Sequence, residues 1–218
     1  MSQEELSYED QRDMCGRLRD LGFRHFAFIS YPNTDAAMKS FAQTFHRRFS
    51  ELLGQNLGLL DTKASPAFID RYDIPRGVHW EADLSEALCR SVTMVALCLP
   101  MYANSNWCGR EWQGMVELAA AGLPPPMSPI FPVRLGESQV NRIISQIQHW
   151  DFSKVEPGPL GNSRRLYPCL QAAFHHVCRV GMQRAAKHTR DCRGYRLPER
   201  SAFESVLPPP LPNRSNES

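Results

Sequence analysis

The sequence predicts an α/β fold in which a doubly wound parallel sheet carries helices on both faces. Two observations predict it. Short apolar runs alternate along the chain with longer segments whose apolar residues recur at helical spacing, which is the pattern of strand and crossover helix. The run from Val92 to Leu99 is nearly continuous in apolar residues, as expected of a strand buried on both sides within a parallel sheet.

The first elements occupy the N-terminal quarter of the chain. Residues 3–20 carry charges with scattered apolar positions and are followed by Gly22, which predicts a short amphipathic helix with a glycine stop. The run HFAFIS, residues 25–30, predicts the first strand, because it is compact and rich in aromatic and branched residues. Residues 35–53 repeat apolar side chains at helical spacing and predict the first crossover helix, with Gly54 at its end.

The remaining elements continue the alternation and bring the predicted sheet to five strands. They are a strand at 67–70, a loop at 71–77, a helix at 79–89, the strand at 92–99, a helix at 108–121, a strand at 128–133, a weaker helix at 137–148, a strand at 149–152 and a long helix at 165–190. The strand at 128–133 contains two prolines, which predicts an edge or irregular position because proline cannot donate to a sheet ladder.

Chain length predicts one domain with appendages. A chain of 218 residues can bury one sizeable core and is short for two full domains. We assign residues 1–22 to an N-terminal helical extension and residues 23–190 to the domain. The tail, residues 191–218, contains the run PPPLP and few apolar side chains, and we predict it to be disordered.

Composition argues against several classes of function. The formal net charge of +2 creates no strong field, so we expect neither a nucleic-acid partner nor a membrane partner. The longest uncharged run, residues 91–109, is broken by Pro100 and by polar residues, and it therefore predicts no transmembrane helix. The N-terminus is acidic and polar, unlike a secretory signal, and we expect a cytosolic protein.

The cysteines predict neither a disulfide framework nor a metal site. There are seven of them, scattered along the chain without a C-x-x-C pair. We expect most to be small buried side chains, and we assign no metal ligand.

The segment from Ser91 to Trp112 carries the candidate active site. It runs from the apolar strand through a polar turn into a helix that places Trp107 and Glu111 four residues apart, on one face, with about 6 Å between their Cβ atoms. An aromatic ring beside a carboxylate can hold a planar heterocycle and stabilise a positively charged sugar carbon. The alternative is that Trp107 packs in the core and Glu111 lies on a solvated helix face.

Four segments resemble the Toll/interleukin-1 receptor (TIR) domain family, in order and in spacing. They are FAFISY (26–31), FIDRYDIPRGVHWEADLSEAL (68–88), SVTMVALCLPMYANSNWCGREW (91–112) and, more weakly, FPVRL (131–135). The resemblance covers about residues 24–152, and the overall pattern is similar to stand-alone bacterial TIR proteins. It implies a flavodoxin-like, five-stranded parallel sheet.

The resemblance implies two classes of function. Many TIR domains are adaptors that self-associate, and others cleave the nicotinamide N-glycosidic bond of NAD⁺ to give ADP-ribose or a cyclic isomer, in defence or signalling. The family's catalytic carboxylate lies in a W-C-x-x-E context, which is matched by Glu111 here. NAD⁺ would be a consumed substrate, with no bound cofactor, because the chain has no G-x-G-x-x-G fingerprint.

The proposed chemistry sets a requirement on Glu111. Its carboxylate must be ionised to stabilise an oxocarbenium-like ribosyl cation. A position in the early turns of a helix favours the charged form, typically by about 0.3–1 kcal/mol. Glu117 is the rival carboxylate, but it lies farther along the helix.

Residues at the end of the first strand are expected to contact the substrate, because parallel sheets bind ligands at the carboxyl ends of their strands. Phe28, Ser30 and Tyr31 lie there, and the resemblance implies contact with the nicotinamide half of NAD⁺. Phe28 fits an ordinary core aromatic equally well.

The loop at 71–77 corresponds to the family's BB loop. Arg71 and Arg76 could bind the pyrophosphate, since guanidinium groups match phosphate oxygens, or could be solvated loop charges. Trp80 and Trp107 offer stacking faces for the substrate, although Trp80 could instead anchor its helix against the sheet. The resemblance also implies self-association through this loop, and we expect a separate sensor or effector protein as partner.

Overall fold

The computed structural model describes most of the predicted domain. The described residues are 7–33, 36–59, 65–70, 80–98, 101–120, 123–124, 127–135, 150–152, 163–186, 192–199 and 202–203. The loop at 71–77, with Arg71 and Arg76, and the predicted helix at 137–148 lie outside them.

The helices and strands follow the predicted order, and the α/β class is confirmed. The helices are α1 (Tyr8–Asp20), α2 (Ala36–Asn56), α3 (Trp80–Cys89), α4 (Asn106–Ala120) and α5 (Ser163–Ala185). The strands are β1 (His25–Ser30), β2 (Ala67–Ile69), β3 (Ser91–Cys98), β4 (Ile130–Leu135) and β5 (Trp150–Phe152). Among the described helices, none has the length and apolar character needed to cross a bilayer.

Every described strand pairing is parallel, and the order across the sheet is β2-β1-β3-β4-β5. Ser30, the last residue of β1, pairs with Ala96 in β3. The direction of winding changes between β1 and β3, so the crevice of this sheet opens at their carboxyl ends. The polar residues that follow these strands are brought together there.

Side chains of the central strands alternate between two apolar cores, one on each face of the sheet. Ala27 and Ile29 of β1 join the core that contains α1, α2 and α5, whereas Phe28 joins the core that contains α3 and α4. The helices therefore cover both faces, as a doubly wound sheet requires. The second core lies behind the candidate site.

The helix α1 is packed into the first core and does not stand apart as an extension. Its Met14 and Leu18 are each 1% exposed, and both approach Gly181 of α5 so closely that a methyl group there would contact them. The helix ends as predicted at Gly22, which has a φ of 90°, a conformation that glycine adopts without steric cost.

The expectation that β4 lies at an edge is wrong, because β4 pairs with β3 on one side and with β5 on the other. One of the two prolines, Pro129, precedes the strand, and its carbonyl accepts hydrogen bonds from the amide of Met94 at 3.0 Å and the hydroxyl of Thr93. Only Pro132 lies within the strand, where its missing backbone N–H removes one hydrogen-bond donor from the sheet.

The tail is partly ordered, which corrects the expectation of disorder for its described part. Residues 192–199 and 202–203, named here the C-terminal strap, run over the second core. Leu197 is 3% exposed and Phe203 is 1% exposed. A disulfide joins Cys192 to Cys89 at the end of α3, with 5.8 Å between the Cα atoms, so the prediction of no disulfide is also wrong.

Candidate active site

Glu111 lies in the second turn of α4, with its side chain turned into the protein. It is 6% exposed, and its Oε2 accepts a hydrogen bond of 2.5 Å from the hydroxyl of Ser30. The helix begins where the turn after β3 provides a cap: the hydroxyl of Ser105 accepts from the amide of Cys108 at 3.3 Å. This start sets the rotation of α4 that directs Glu111 toward the end of β1.

The alternative that Glu111 belongs to a solvated helix face is therefore not what the structure shows. The solvated carboxylate of this helix is Glu117, which is exposed and accepts from the amide nitrogen of Gln113 at 2.8 Å. Among the described residues, the ion pairs do not involve Glu111.

A second hydroxyl stands behind Ser30. Tyr102, in the turn between β3 and α4, is fully buried, and its hydroxyl oxygen lies 2.8 Å from the Ser30 hydroxyl oxygen. A serine hydroxyl has one proton, and that of Ser30 is donated to Glu111. When Glu111 is ionised, Tyr102 is therefore the donor, and the three side chains form a chain of hydrogen bonds that ends on the carboxylate.

Sequence reasoning did not find Tyr102. The signal available was its place in the polar turn directly after the buried strand, at the same edge of the sheet as Ser30. Tyrosine in such a turn is also a common surface residue, and only the packing shows its burial.

Burial dominates the electrostatics of Glu111. Loss of solvation raises the pKa of its carboxyl group to about 8; the hydrogen bond from Ser30 opposes this rise, and the negative charge of Asp70, just after β2, adds to it. The helix-start effect that favoured ionisation is smaller than this penalty. At neutral pH, the carboxyl group is therefore mostly protonated.

The other buried groups near Glu111 stay neutral. Burial raises the pKa of the Tyr102 hydroxyl and of the Cys108 thiol well above their ordinary ranges, and the nearby Glu111 adds to both shifts. Tyr102 therefore keeps its proton throughout the neutral range and remains a donor to Ser30.

An aromatic pair lies toward the surface from this buried group. The rings of Trp80 and Trp107 meet edge to face, with 4.3 Å between centroids, and Trp80 is 36% exposed. The guanidinium of Arg110 lies 4.5 Å from the Trp107 ring centroid and is 2.5 Å from a carboxylate oxygen of Glu81. Trp107 is partly buried: it packs against the second core, and its ring also meets Trp80 and Arg110.

Phe28 and Tyr31 are not at the surface of the crevice. Phe28 is fully buried and stacks on Phe68 of β2, with 5.3 Å between ring centroids. Tyr31 is 7% exposed and belongs to the first core, on the face of the sheet opposite that of Phe28. The structure thus places Ser30 beside Glu111, while Phe28 and Tyr31 occupy core positions.

No metal centre is evident in the part of the chain that the structure describes, where no group of three His, Cys, Asp or Glu side chains could hold an ion. The arrangement offers instead one buried carboxyl group, a hydroxyl that hydrogen-bonds to it and a neighbouring aromatic surface. Such a set can stabilise a cation that develops beside it.

A family model described as the TIR domain matches residues 28–165, which includes the end of β1, the sheet and the candidate site. No curated protein matches the chain.

Proposed function

Because the chain belongs to the TIR domain family, some members of which cleave NAD⁺, we propose that this protein cleaves the bond between nicotinamide and ribose in NAD⁺. The observation that carries the proposal is the buried Glu111 carboxyl group, hydrogen-bonded to Ser30 at the carboxyl end of β1. This is the edge at which parallel sheets bind their ligands.

The reaction needs a negative charge more than it needs an acid. As the C1′–N1 bond breaks, its electron pair stays with the nicotinamide nitrogen, which becomes neutral, and the ribose is left as an oxocarbenium-like cation. The ionised Glu111 stabilises that cation. Water then adds to C1′ and loses a proton, giving ADP-ribose; attack by another atom of the same molecule gives a cyclic isomer.

The raised pKa of Glu111 is compatible with this role. NAD⁺ brings a positively charged pyridinium ring to the site, and a cation within about 4–6 Å of a carboxyl group favours its ionised form. Substrate binding at pH 7 therefore releases a proton from Glu111, whose pKa is about 8 before the cation arrives. The charge appears only where the cation is bound.

The other predicted residues have supporting roles in this proposal. Ser30 holds the carboxylate through its hydroxyl. Trp80 and Trp107 offer aromatic surface to a flat ring. Arg71 and Arg76 are assigned to pyrophosphate binding, whereas Phe28 and Tyr31 lie in the two apolar cores and would pack behind the site instead of contacting nicotinamide.

Assembly completes the proposed function. Self-association would use TIR surfaces and the loop at 71–77, and a separate sensor or effector protein would supply the trigger or the response. We place the protein in the cytosol, in defence or signalling. The disulfide between Cys89 and Cys192 weighs against that compartment, because disulfides are rare in cytosolic proteins.

One observation favours a second function, a TIR scaffold without catalysis. Glu111 is 6% exposed and mostly protonated at neutral pH, as a purely structural hydrogen-bonding residue would be. In that case the protein would act through TIR–TIR contacts alone.

Nicotinamide release separates the two functions. Wild type, Glu111→Gln and Glu117→Gln would be incubated with NAD⁺ and a crowding agent that promotes assembly, and nicotinamide would be measured by chromatography. We expect release by wild type and by Glu117→Gln, and none by Glu111→Gln. If none of the three proteins releases nicotinamide in any assembled state, the result would favour the scaffold function.

A further inference from the structure

The C-terminal strap is bound to the face of the domain that carries the candidate site. The backbone amide of Leu197 donates to the hydroxyl of Ser85 at 3.1 Å, and the amide of Ala202 donates to the carbonyl of Gly109 at 3.1 Å. The disulfide at Cys192 fixes the start of the strap to α3. These contacts place the last described residue, Phe203, in the second core, beside Tyr102 and Trp112.

Phe203 completes a cluster of three aromatic rings. Its ring centroid lies 5.9 Å from that of Tyr102 and 5.7 Å from that of Trp112, and those two rings are 6.3 Å apart. All three side chains are at most 2% exposed. Edge-to-face contacts of this kind are directional, so the cluster fixes the plane and the tilt of the Tyr102 ring.

The orientation of the Tyr102 ring decides where its hydroxyl points. A hydroxyl lies in line with the ring axis, so a ring held by its neighbours holds its oxygen as well. Here that oxygen is 2.8 Å from Ser30, whose own proton goes to Glu111. Hydrogen bonds in such a chain polarise one another, so the bond from Tyr102 to Ser30 strengthens the bond from Ser30 to the ionised carboxylate.

We propose that the C-terminal strap belongs to the functional site: Phe203 fixes Tyr102, and Tyr102 is a positioning residue that holds Ser30 in the orientation that donates to Glu111. The hydrogen-bond chain and the ring cluster carry this inference, and its consequence for catalysis rests on the proposed function. The protonation state of Glu111 thereby depends on the strap, which is far from Glu111 in the sequence.

Loss of the hydrogen bonds from Tyr102 through Ser30 is expected to change the pKa of Glu111 in one direction. Without the proton from Tyr102, the Ser30 hydroxyl is a weaker donor, and the ionised form of Glu111 loses stabilisation. The other titratable groups that face Glu111 in the described structure are Asp70 and Cys108, and neither replaces the lost donor. The pKa of Glu111 therefore rises.

Direct titration of Glu111 tests this without relying on activity. The ¹³C resonance of its carboxyl carbon, assigned by its loss in Glu111→Gln, would be followed with pH in wild type, Tyr102→Phe and Phe203→Leu. Both substitutions keep most of the buried apolar volume, so folding is expected to survive. Tyr167→Phe is the matched control, because it removes a hydroxyl from a side chain that is 54% exposed.

We expect Tyr102→Phe to raise the midpoint by about half to one pH unit, which lowers the ionised fraction at pH 7 roughly three- to tenfold. Phe203→Leu should move the midpoint in the same direction by less, and Tyr167→Phe should leave it in place. In nicotinamide release, kcat/KM at pH 7 falls by the same factor and recovers at higher pH, mainly through a rise in KM, because Glu111 loses its proton when NAD⁺ binds.

These measurements distinguish the role of the strap from the proposed cleavage of NAD⁺. An unshifted midpoint in Tyr102→Phe overturns the positioning role, and a shift in Tyr102→Phe without one in Phe203→Leu overturns the part assigned to the strap. If wild type releases no nicotinamide, the proposed function fails, but the titration still decides whether the strap sets the state of Glu111.

Discussion

Replacing Glu111 by glutamine is expected to stabilise the protein at neutral pH. In the folded protein the carboxyl group is buried and mostly protonated, whereas in the unfolded chain it ionises in water. Glutamine is nearly isosteric with the protonated acid and its carbonyl oxygen can accept the same hydrogen bond from Ser30. The substitution removes the ionisation that favours unfolding.

The magnitude follows from the two pKa values of the Glu111 carboxyl group. Its pKa rises from 4.5 to about 8 on folding, so the folded protein holds the extra proton between these values. The stabilisation that this proton gives is complete below pH 4.5 and is lost as the pH rises toward 8. At 1.36 kcal/mol per unit the loss reaches about 5 kcal/mol above pH 8, and about 3 kcal/mol at pH 7.

Denaturant unfolding at pH 4, 5, 6, 7 and 8 measures this loss. The free energy of unfolding of Glu111→Gln minus that of wild type should grow with pH, by at most about 1.4 kcal/mol per unit, because the amide does not titrate. Any cost of the glutamine side chain itself is the same at every pH and changes only the offset. The control, Glu117→Gln, alters an exposed carboxylate of the same helix and should stay within about 0.5 kcal/mol of wild type.

A difference that stays constant from pH 4 to pH 8 would show that burial does not raise the pKa of Glu111. A difference that falls with pH would show that the folded protein stabilises the ionised form of Glu111, which contradicts a pKa raised by burial.

Three further substitutions test the packing around the site. Ser30→Ala removes the donor to the buried carboxyl group and leaves two buried polar partners unsatisfied, so we expect a loss of about 1–3 kcal/mol in denaturant unfolding, together with loss of nicotinamide release. Gly114→Ala would bring a Cβ atom within 2.7 Å of the Tyr195 hydroxyl oxygen in the strap, and we expect about 1–3 kcal/mol of destabilisation; a neutral result would show that the strap does not press on α4. Replacing Cys89 and Cys192 by alanine opens a loop spanning 103 residues and should lower the unfolding free energy by about 2–4 kcal/mol, whereas reductant should affect wild type alone.

The order of strands and helices could be predicted because its signals are local. The apolar run that forms β3 and the helical spacing that forms α2 each lie within one continuous segment. The end of α1 was marked by Gly22, a residue whose conformation ends helices. Glu111 was found because its spacing from Trp107 matches the family's motif.

The partners of Glu111 could not be predicted in the same way. Ser30 was placed at the right edge of the sheet, but its direct hydrogen bond depends on the rotation of α4, which Ser105 sets through a cap. Tyr102 and Phe203 meet only after the chain has folded, since about 100 residues separate them. No periodicity within a short window records such a contact.

The charge of Glu111 was predicted from the wrong balance of effects. The start of a helix favours an anion by at most about 1–2 kcal/mol, whereas burial acts with several times that strength. Spacing along a helix shows which residues share a face, but the depth of that face below the surface depends on what covers it. Here the covering includes the strap, which was expected to be disordered.

The order within the strap bears on how this domain is isolated for study. A fragment cut at residue 165, where the family match stops, would lack nearly all of α5 and would expose the apolar side chains that α5 covers. It would also leave Cys89 as a lone thiol able to cross-link molecules. Such a fragment would aggregate and would lack Phe203 of the aromatic cluster. Its inactivity in an assay would then result from the truncation. Expression at least through Phe203 avoids this artefact.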